Sequence, residues 1–123
     1  MTLTEFNKKY IKPFIGLNYI FDKEKGYIVW REGTGNNIEL LHLRAFKLRN
    51  GFGAELVKRM LFQLKKKPPY FSVFGFILAS KKAVINFYKK MGFQTTIVSN
   101  LYKGGDAMIF TQSYEVLCQK NKI

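Results

Sequence analysis

The most constraining stretch of this sequence lies between Ile38 and Ser80. An apolar run, "IELLHLRAF", leads through a glycine pair, "KLRNGFGAEL", into "AELVKRMLFQLKKK" and out into "YFSVFGFILAS". In the third piece Leu56, Met60, Leu61 and Leu64 recur at helical spacing, which predicts an amphipathic helix. The two apolar runs beside it read as strands, and their near-continuous apolarity predicts burial on both faces. Strand, helix and strand in that order predict a parallel pair joined by a right-handed crossover.

Turn residues divide the remainder. "TEFNKKYIKPFI" opens as a short helix from Thr4, with Phe6 and Tyr10 one turn apart and Pro13 ending or bending it. "LNYIFDKEKGYIVWREG" reads as two strands joined at "DKEKG", with Gly26 marking the turn, and "GTGNN" is a second turn. "KKKPP" stops the central helix. "KKAVINFYKKMGF" reads as a helix with Val84, Phe87, Tyr88 and Met91 on one stripe, closed by Gly92. "TTIVSNLY", a "KGGD" turn and "AMIFTQ" complete a hairpin. The expectation is an α/β (α+β) fold. Its mixed, mostly antiparallel sheet has a central parallel pair and flanking helices. No linker or repeat divides the 123 residues, so 1–123 is read as a single domain, with a helical region at 1–16 and a tail at 113–123.

Charge narrows the partners. The net charge is +13, from 21 Lys and Arg against 8 Asp and Glu. Nucleic acid, an acidic membrane, an acidic protein or a polyphosphate cofactor could answer it. Lysines far outnumber arginines, which argues against readout of base edges by arginine forks but not against non-specific binding. A lone Cys118 excludes an internal disulfide and fits a reducing compartment. One His and one Cys make a Cys/His zinc site implausible, and no metal is expected. No apolar run approaches the ~20 residues that span a bilayer, so a cytoplasmic protein without a membrane partner is expected.

The glycine pair, Gly51 and Gly53, stands where a strand hands over to a helix. Free backbone N–H groups and the helix dipole make such a terminus an anion site, and glycine keeps side chains out of the way. No Gly-Lys-Ser/Thr follows, so this is not a Walker loop, and "GFGAEL" lacks the third glycine of a dinucleotide fingerprint.

Taken together, "LRNGFGAELV" and the later "AVINFYKKMGF" resemble the Gcn5-related N-acetyltransferase (GNAT) superfamily, over roughly residues 17 to 112. In that family Gln/Arg-x-x-Gly-x-Gly/Ala grips the pyrophosphate of acetyl-CoA, and a later helix carries an aromatic-Tyr pair followed by Gly-Phe. The resemblance implies acetyl-CoA as cosubstrate, held by Leu43, Arg44, Ala45, Leu48, Arg49, Asn50, Gly51, Phe52, Gly53, Ala54, Lys81 and Tyr88. The family's Gln/Arg falls on Leu48, so Lys47 or Arg49 must supply its charge, with Lys58 as a further cation. The position where the family often has Asn falls on Lys81, and the family's first strand and paired helices are reduced to residues 1–16.

The implied activity is acetyl transfer to an amine by direct attack, without an acyl-enzyme. The amine must lose a proton, the carbonyl oxygen needs a donor, and the leaving thiolate can take a proton. Glu39, on the strand where the family often places a glutamate, is the candidate base; otherwise it is a solvated carboxylate or a partner for Arg44. His42, the only histidine, is the alternative base or a core residue. Tyr88 matches the family's thiolate-facing tyrosine; otherwise it packs in the core. Backbone N–H groups from Leu43 to Ala45 would hold the carbonyl, as in similar proteins. Cys118 has no basic neighbour but Lys120 and is a poor nucleophile. The acceptor could be a protein, an aminoacyl group or a small amine, with an acidic macromolecule as a further partner and a monomer or homodimer as the assembly. The competing reading is a non-catalytic module of the same fold that binds nucleic acid or an acidic partner, drawn from the charge and aromatics of "LKKKPPYF".

Overall fold

The computed structural model describes residues 1–66, 69–102 and 105–123. The chain opens with α1 (Leu3–Phe6), which continues as a π-helical turn, Asn7–Ile11. The Thr2 hydroxyl caps it by accepting from the Glu5 N–H at 3.1 Å. Six strands follow: β1 (Asn18–Asp22), β2 (Gly26–Glu32), β3 (Asn37–Ala45), β4 (Ser72–Leu78), β5 (Gln94–Tyr102) and β6 (Gly105–Ser113). Helix α2 (Phe52–Leu64) joins β3 to β4, α3 (Lys82–Met91) joins β4 to β5, and α4 (Tyr114–Lys120) closes the chain.

The strands make one sheet in the order β1-β2-β3-β4-β6-β5, antiparallel except for the β3–β4 pair. The expected fold class and crossover are therefore present. One face carries the larger core, where Trp30, Ile38, Leu40, Val73 and Phe110 of the strands meet Leu56, Met60, Leu61 and Leu64 of α2, Tyr88 and Met91 of α3, and Leu117 of α4. On the opposite face the N-terminal helix sets Phe6 and Tyr10 against Tyr19, Phe21, Tyr27, Val29, Leu41 and Phe46.

Several expectations need correction. Burial along β3 alternates instead of covering both faces, because only one short helix shields the second face. β4 is likewise half-buried, with Phe76 37% exposed. Gly26 begins β2 and is not in the turn; the turn is held by the Asp22 carboxylate, which accepts from the Glu24 and Lys25 N–H groups at 2.9 and 3.1 Å. The buried stripe of α3 is Ile85, Tyr88 and Met91, while Val84 is 40% exposed and Phe87 is half-buried. Residues 113–123 are no tail: α4 buries Leu117, and the Ser113 hydroxyl caps it by accepting from the Val116 N–H at 3.1 Å. Part of the "KKKPP" stop and of the "KGGD" turn (Lys67, Pro68, Lys103 and Gly104) lies outside the described residues.

Candidate active site

The site begins where the parallel pair stops pairing. β3 and β4 are in register only at Asn37 with Ser72, Ile38 with Val73 and Glu39 with Phe74. Beyond Glu39 the strands separate. At the same place β3 bulges: His42 pairs with Val29 and Leu40 with Trp30, so Leu41 has no partner on β2. A bulge bends its strand and re-aims the groups beside it. The gap is a cleft of about 430 Å³. On the face carrying the larger core it is lined by Leu43, Val84, Tyr88 and Phe110, and on the opposite face by Tyr10, Tyr27, His42 and Arg44. It therefore passes through the sheet.

On the helical side the cleft leads into an apolar passage of about 240 Å³ between Leu43, Leu48, Gly53, Val84, Phe87 and Tyr88. That passage adjoins a third cavity of about 320 Å³ over the glycine loop, whose charged lining is Lys47, Arg49 and Lys90. Here the chain makes an unusual turn. Arg49 and Gly51 both take positive φ, 64° and 73°, and Gly51 caps α2. The first intrahelical bond runs from the Glu55 N–H to the Gly51 carbonyl at 3.0 Å. The N–H groups of Phe52, Gly53 and Ala54 precede it and project from the helix end with the dipole behind them. A Cβ on Gly51 would meet nothing within 4 Å, so that residue is glycine for its backbone. Gly53 is glycine for packing, since a Cβ there would press to 3.2 Å on the ring of Phe87. One glycine thus shapes the cradle, and the other brings α3 against it.

Tyr88 sits at the junction of cleft and passage. Its ring stacks on Phe110 at 3.9 Å and 8°. Burial pushes its hydroxyl well above the ordinary tyrosine range, so it keeps its proton at neutral pH and can donate it. Glu39 does not line the cleft: its side chain is 18% exposed and its carboxylate is held by Arg31, Oε1 accepting from Nε at 2.9 Å and lying 2.7 Å from a terminal guanidinium nitrogen. Its partner is Arg31, not Arg44. His42 does line the cleft, and it is exposed where a core histidine was the alternative. Its ring lies 5.2 Å from that of Tyr10, and partial desolvation lowers its pKa.

The structure gathers Leu43, Ala45, Leu48, Arg49, Gly51, Phe52, Gly53, Ala54, Lys81 and Tyr88 along the three cavities. Leu48, 85% exposed, places an alkyl chain where the family pattern has a polar one. Asn50 is exposed in the loop and lines none of the three, and Lys58 faces away, into a groove on the outer side of α2. Arg44 pairs with Tyr27 across the strands and so shares its face, opposite the larger core, where it lines the cleft. Sequence reasoning missed Lys90, Tyr10 and Tyr27. Lys90 lies three residues after Phe87 on α3, a spacing that could have placed it beside the loop. Among the described residues no group of three or more His, Cys, Asp or Glu could hold a metal ion. No helix there is long and apolar enough to cross a membrane.

No protein-family model and no curated sequence matches the chain. Solved structures do. A GNAT-family acetyltransferase from Desulfovibrio desulfuricans matches with a TM-score of 0.72 at 15% identity, over 89% of this chain and 76% of that one. NAA60 of Arabidopsis thaliana, crystallised with acetyl-CoA, matches at 0.69 and 15%, over 92% and 84%. The ribosomal-protein-S18-alanine N-acetyltransferase of Escherichia coli matches at 0.68 and 18%, over 93% and 77%.

The chain has the GNAT fold. Within that GNAT fold, the splayed parallel pair, the glycine cradle and Tyr88 lie along one continuous path. Its two ends open on opposite faces of the sheet, so two ligands can meet in the middle without crossing.

Proposed function

We propose that this chain is an acetyl-CoA-dependent N-acetyltransferase acting on an α-amino group. The observation that carries this reading is the opening of β3 from β4 after Glu39 and Phe74, which joins the glycine cradle to a cleft through the sheet. The residues present fit acetyl-CoA. The Phe52, Gly53 and Ala54 N–H groups with Lys47, Arg49 and Lys90 suit its phosphates, and the apolar passage suits the pantetheine arm. Backbone N–H groups of the bulged strand from Leu43 to Ala45 would receive the thioester oxygen.

The amine nitrogen attacks the carbonyl carbon; the N–C bond forms and the C–S bond breaks. Tyr88 gives its proton to the departing sulfur and regains one from solvent. His42 takes the proton lost by the amine, while Glu39 would reach it only through water. None of the 8 acidic residues lines the cleft, which favours an acceptor that needs little help to lose its proton. A lysine ammonium of pKa ~10.4 is neutral in roughly one molecule per thousand near pH 7.4, whereas an α-amine of pKa ~7.8 is neutral in roughly a quarter. Arg44 and Lys81 along the cleft disfavour the ammonium further.

Titration calorimetry with acetyl-CoA tests the first half, and thiol release with two peptides tests the second. One peptide has a free N-terminus and no lysine; the other has a blocked N-terminus and one lysine. Acetyl-CoA should bind, the first peptide should turn over, and kcat/KM should rise to a plateau near pH 8. Nucleic-acid binding without acetyl-CoA binding would overturn the enzymatic reading. Exclusive use of the lysine peptide would overturn the α-amine.

A further inference from the structure

The cleft opens, on the face opposite the larger core, among Tyr10 of the N-terminal helix, Tyr27 of β2, His42 and Arg44 of β3, and Phe76 of β4. These groups form a connected set. Arg44 stands directly opposite Tyr27 in the β2–β3 register, and the ring of Tyr10 lies 5.1 Å from that of Tyr27. The neighbouring Tyr27 hydroxyl holds the Tyr10 hydroxyl below the ordinary tyrosine range, with the charges of Lys9 and Arg44 acting the same way. Burial and the Tyr10 hydroxyl push Tyr27 up to about 12.

Arg44 also differs from two of the other three arginines of the chain; Arg49, at the glycine cradle, likewise has no ion pair among the described residues. Arg31 is paired with Glu39 at 2.7 Å and Arg59 with Asp22 at 3.1 Å. Arg44 is exposed, and no carboxylate of the described residues lies within ion-pair distance of it. A guanidinium is a planar fork that matches a carboxylate with two hydrogen bonds, and holding it in advance reduces what is lost on binding. Arg44 faces Tyr27 across the strand pair, lines a cleft that no carboxylate lines, and stands two residues along the strand from His42, about 7 Å away. That separation suits an amine beside His42 and a carboxylate one side chain further on.

We infer that Arg44, beside Tyr27 and Tyr10 at the cleft mouth, binds a side-chain carboxylate of the acceptor, which is a peptide carrying Asp or Glu within its first two residues. This deepens the reading of the chain as an acetyltransferase of α-amines and rests on it. A nucleic-acid acceptor such as an aminoacyl-RNA would also present anions. A strand of phosphates would call for a row of cations along its path, whereas this mouth sets Arg44 among aromatic rings, with Lys9 beside Tyr10 and Lys81 further along the cleft.

The test uses the full chain, acetyl-CoA and seven-residue peptides that differ only in their first two residues, bearing Asp or Glu, Ala, or Lys. Thiol release should show kcat/KM for the acidic peptides about 10- to 100-fold above that for Ala, the worth of a hydrogen bond to a charged group. The Lys peptide should fall below both. Arg44→Ala should bring the acidic-to-Ala ratio to about one, chiefly through KM, and Arg44→Lys should restore part of it. Arg44→Glu should reverse the preference toward Lys. Thermal melts accompany each variant, and the ratio in the parent protein decides the matter even where a variant fails to fold. Equal rates for acidic and Ala peptides overturn the inference. So does acetylation of an aminoacyl-RNA with none of the peptides used. If acetyl-CoA binds by calorimetry yet no peptide reacts, the acceptor inference falls and the cofactor reading stands. If acetyl-CoA does not bind, both fall together.

Discussion

Tyr88, at the junction of cleft and passage, and His42, within the cleft, separate packing from chemistry. Tyr88 belongs to the core by its ring, which stacks on Phe110 and meets Phe93 edge-on at 5.5 Å. By position it lines both the cleft and the passage, and burial keeps its hydroxyl protonated. The core alternative weighed from the sequence therefore holds for the ring, and the hydroxyl is the part proposed to serve the departing sulfur. Tyr88→Phe keeps the ring and removes only the hydroxyl. It should melt within a degree or two of the parent and bind acetyl-CoA nearly as well, while turnover falls by roughly 10²-fold or less. Thiol release measured beside a thermal melt checks this, and full turnover in a folded variant would leave the tyrosine a purely structural one. His42 has a pH consequence. Its pKa lies below the usual ~6.5, so it is neutral at pH 7 and already able to take a proton. A limb of the pH–rate curve near pH 8 would therefore belong to the acceptor and should persist in His42→Gln at a lower rate.

Among the elements, β3 and β4 decide the site, and here the sequence was legible only in part. Apolar runs and a helical period sufficed for the parallel pair and its crossover. They could not show that pairing ends at Glu39, because a bulge and a splay arise from how two strands twist against a third and leave no period in either strand. Glu39 is the consequence: it lies on the expected strand, but one residue before the cleft begins, in the grip of Arg31. The motif on α3 was legible as a pattern, yet its seat was not. Gly75 on β4 leaves room for the ring of Phe110, which a Cβ there would strike, and that Cβ would also lie 2.8 Å from the Leu40 carbonyl oxygen. Phe110 in turn carries Tyr88. Gly75→Ala should therefore cost about 1–3 kcal/mol as an overpacked core. It should also lower kcat more than it weakens acetyl-CoA, because the displaced ring lies at the reacting end. Denaturant melts and calorimetry measure the two effects. A variant with parental stability and turnover would mean that β4 and Phe110 yield without moving Tyr88.

For the molecule as a whole, a net charge of +13 works against compactness, and three carboxylate ion pairs among the described residues answer little of it. Apolar packing must hold the helices in place, and α4 is where that packing closes. Its Leu117 is fully buried in the larger core. At its start the Tyr114 hydroxyl donates to the Leu61 carbonyl of α2 at 2.8 Å. Just past its end the Asn121 amide donates to the Met91 carbonyl of α3 at 2.9 Å. Helix α4 thus ties together the two helices that flank the cofactor path, on α2 at the end away from the glycine cradle and on α3 at Met91, which lines the cavity over it. Seven residues with one fully buried leucine carry too weak a period to be read as a helix without knowing what they cover, which is why the segment read as a tail. Leu117→Ala should remove about 2–5 kcal/mol, a large share of the stability of a domain this size, and lower Tm by roughly 4 °C for each kcal/mol lost. The cradle itself is made by the glycine loop, the first turn of α2 and Phe87, Lys90 and Met91 of α3, and Leu117 does not line it. Saturating acetyl-CoA should therefore raise the Tm of the variant by about as much as it raises the parent's, as mass action requires of a ligand that binds only the folded state. A parental Tm in Leu117→Ala would make α4 a peripheral helix. A lost ligand shift at a lowered Tm would mean that α4 sets the spacing of α2 and α3 at the cradle as well as their stability.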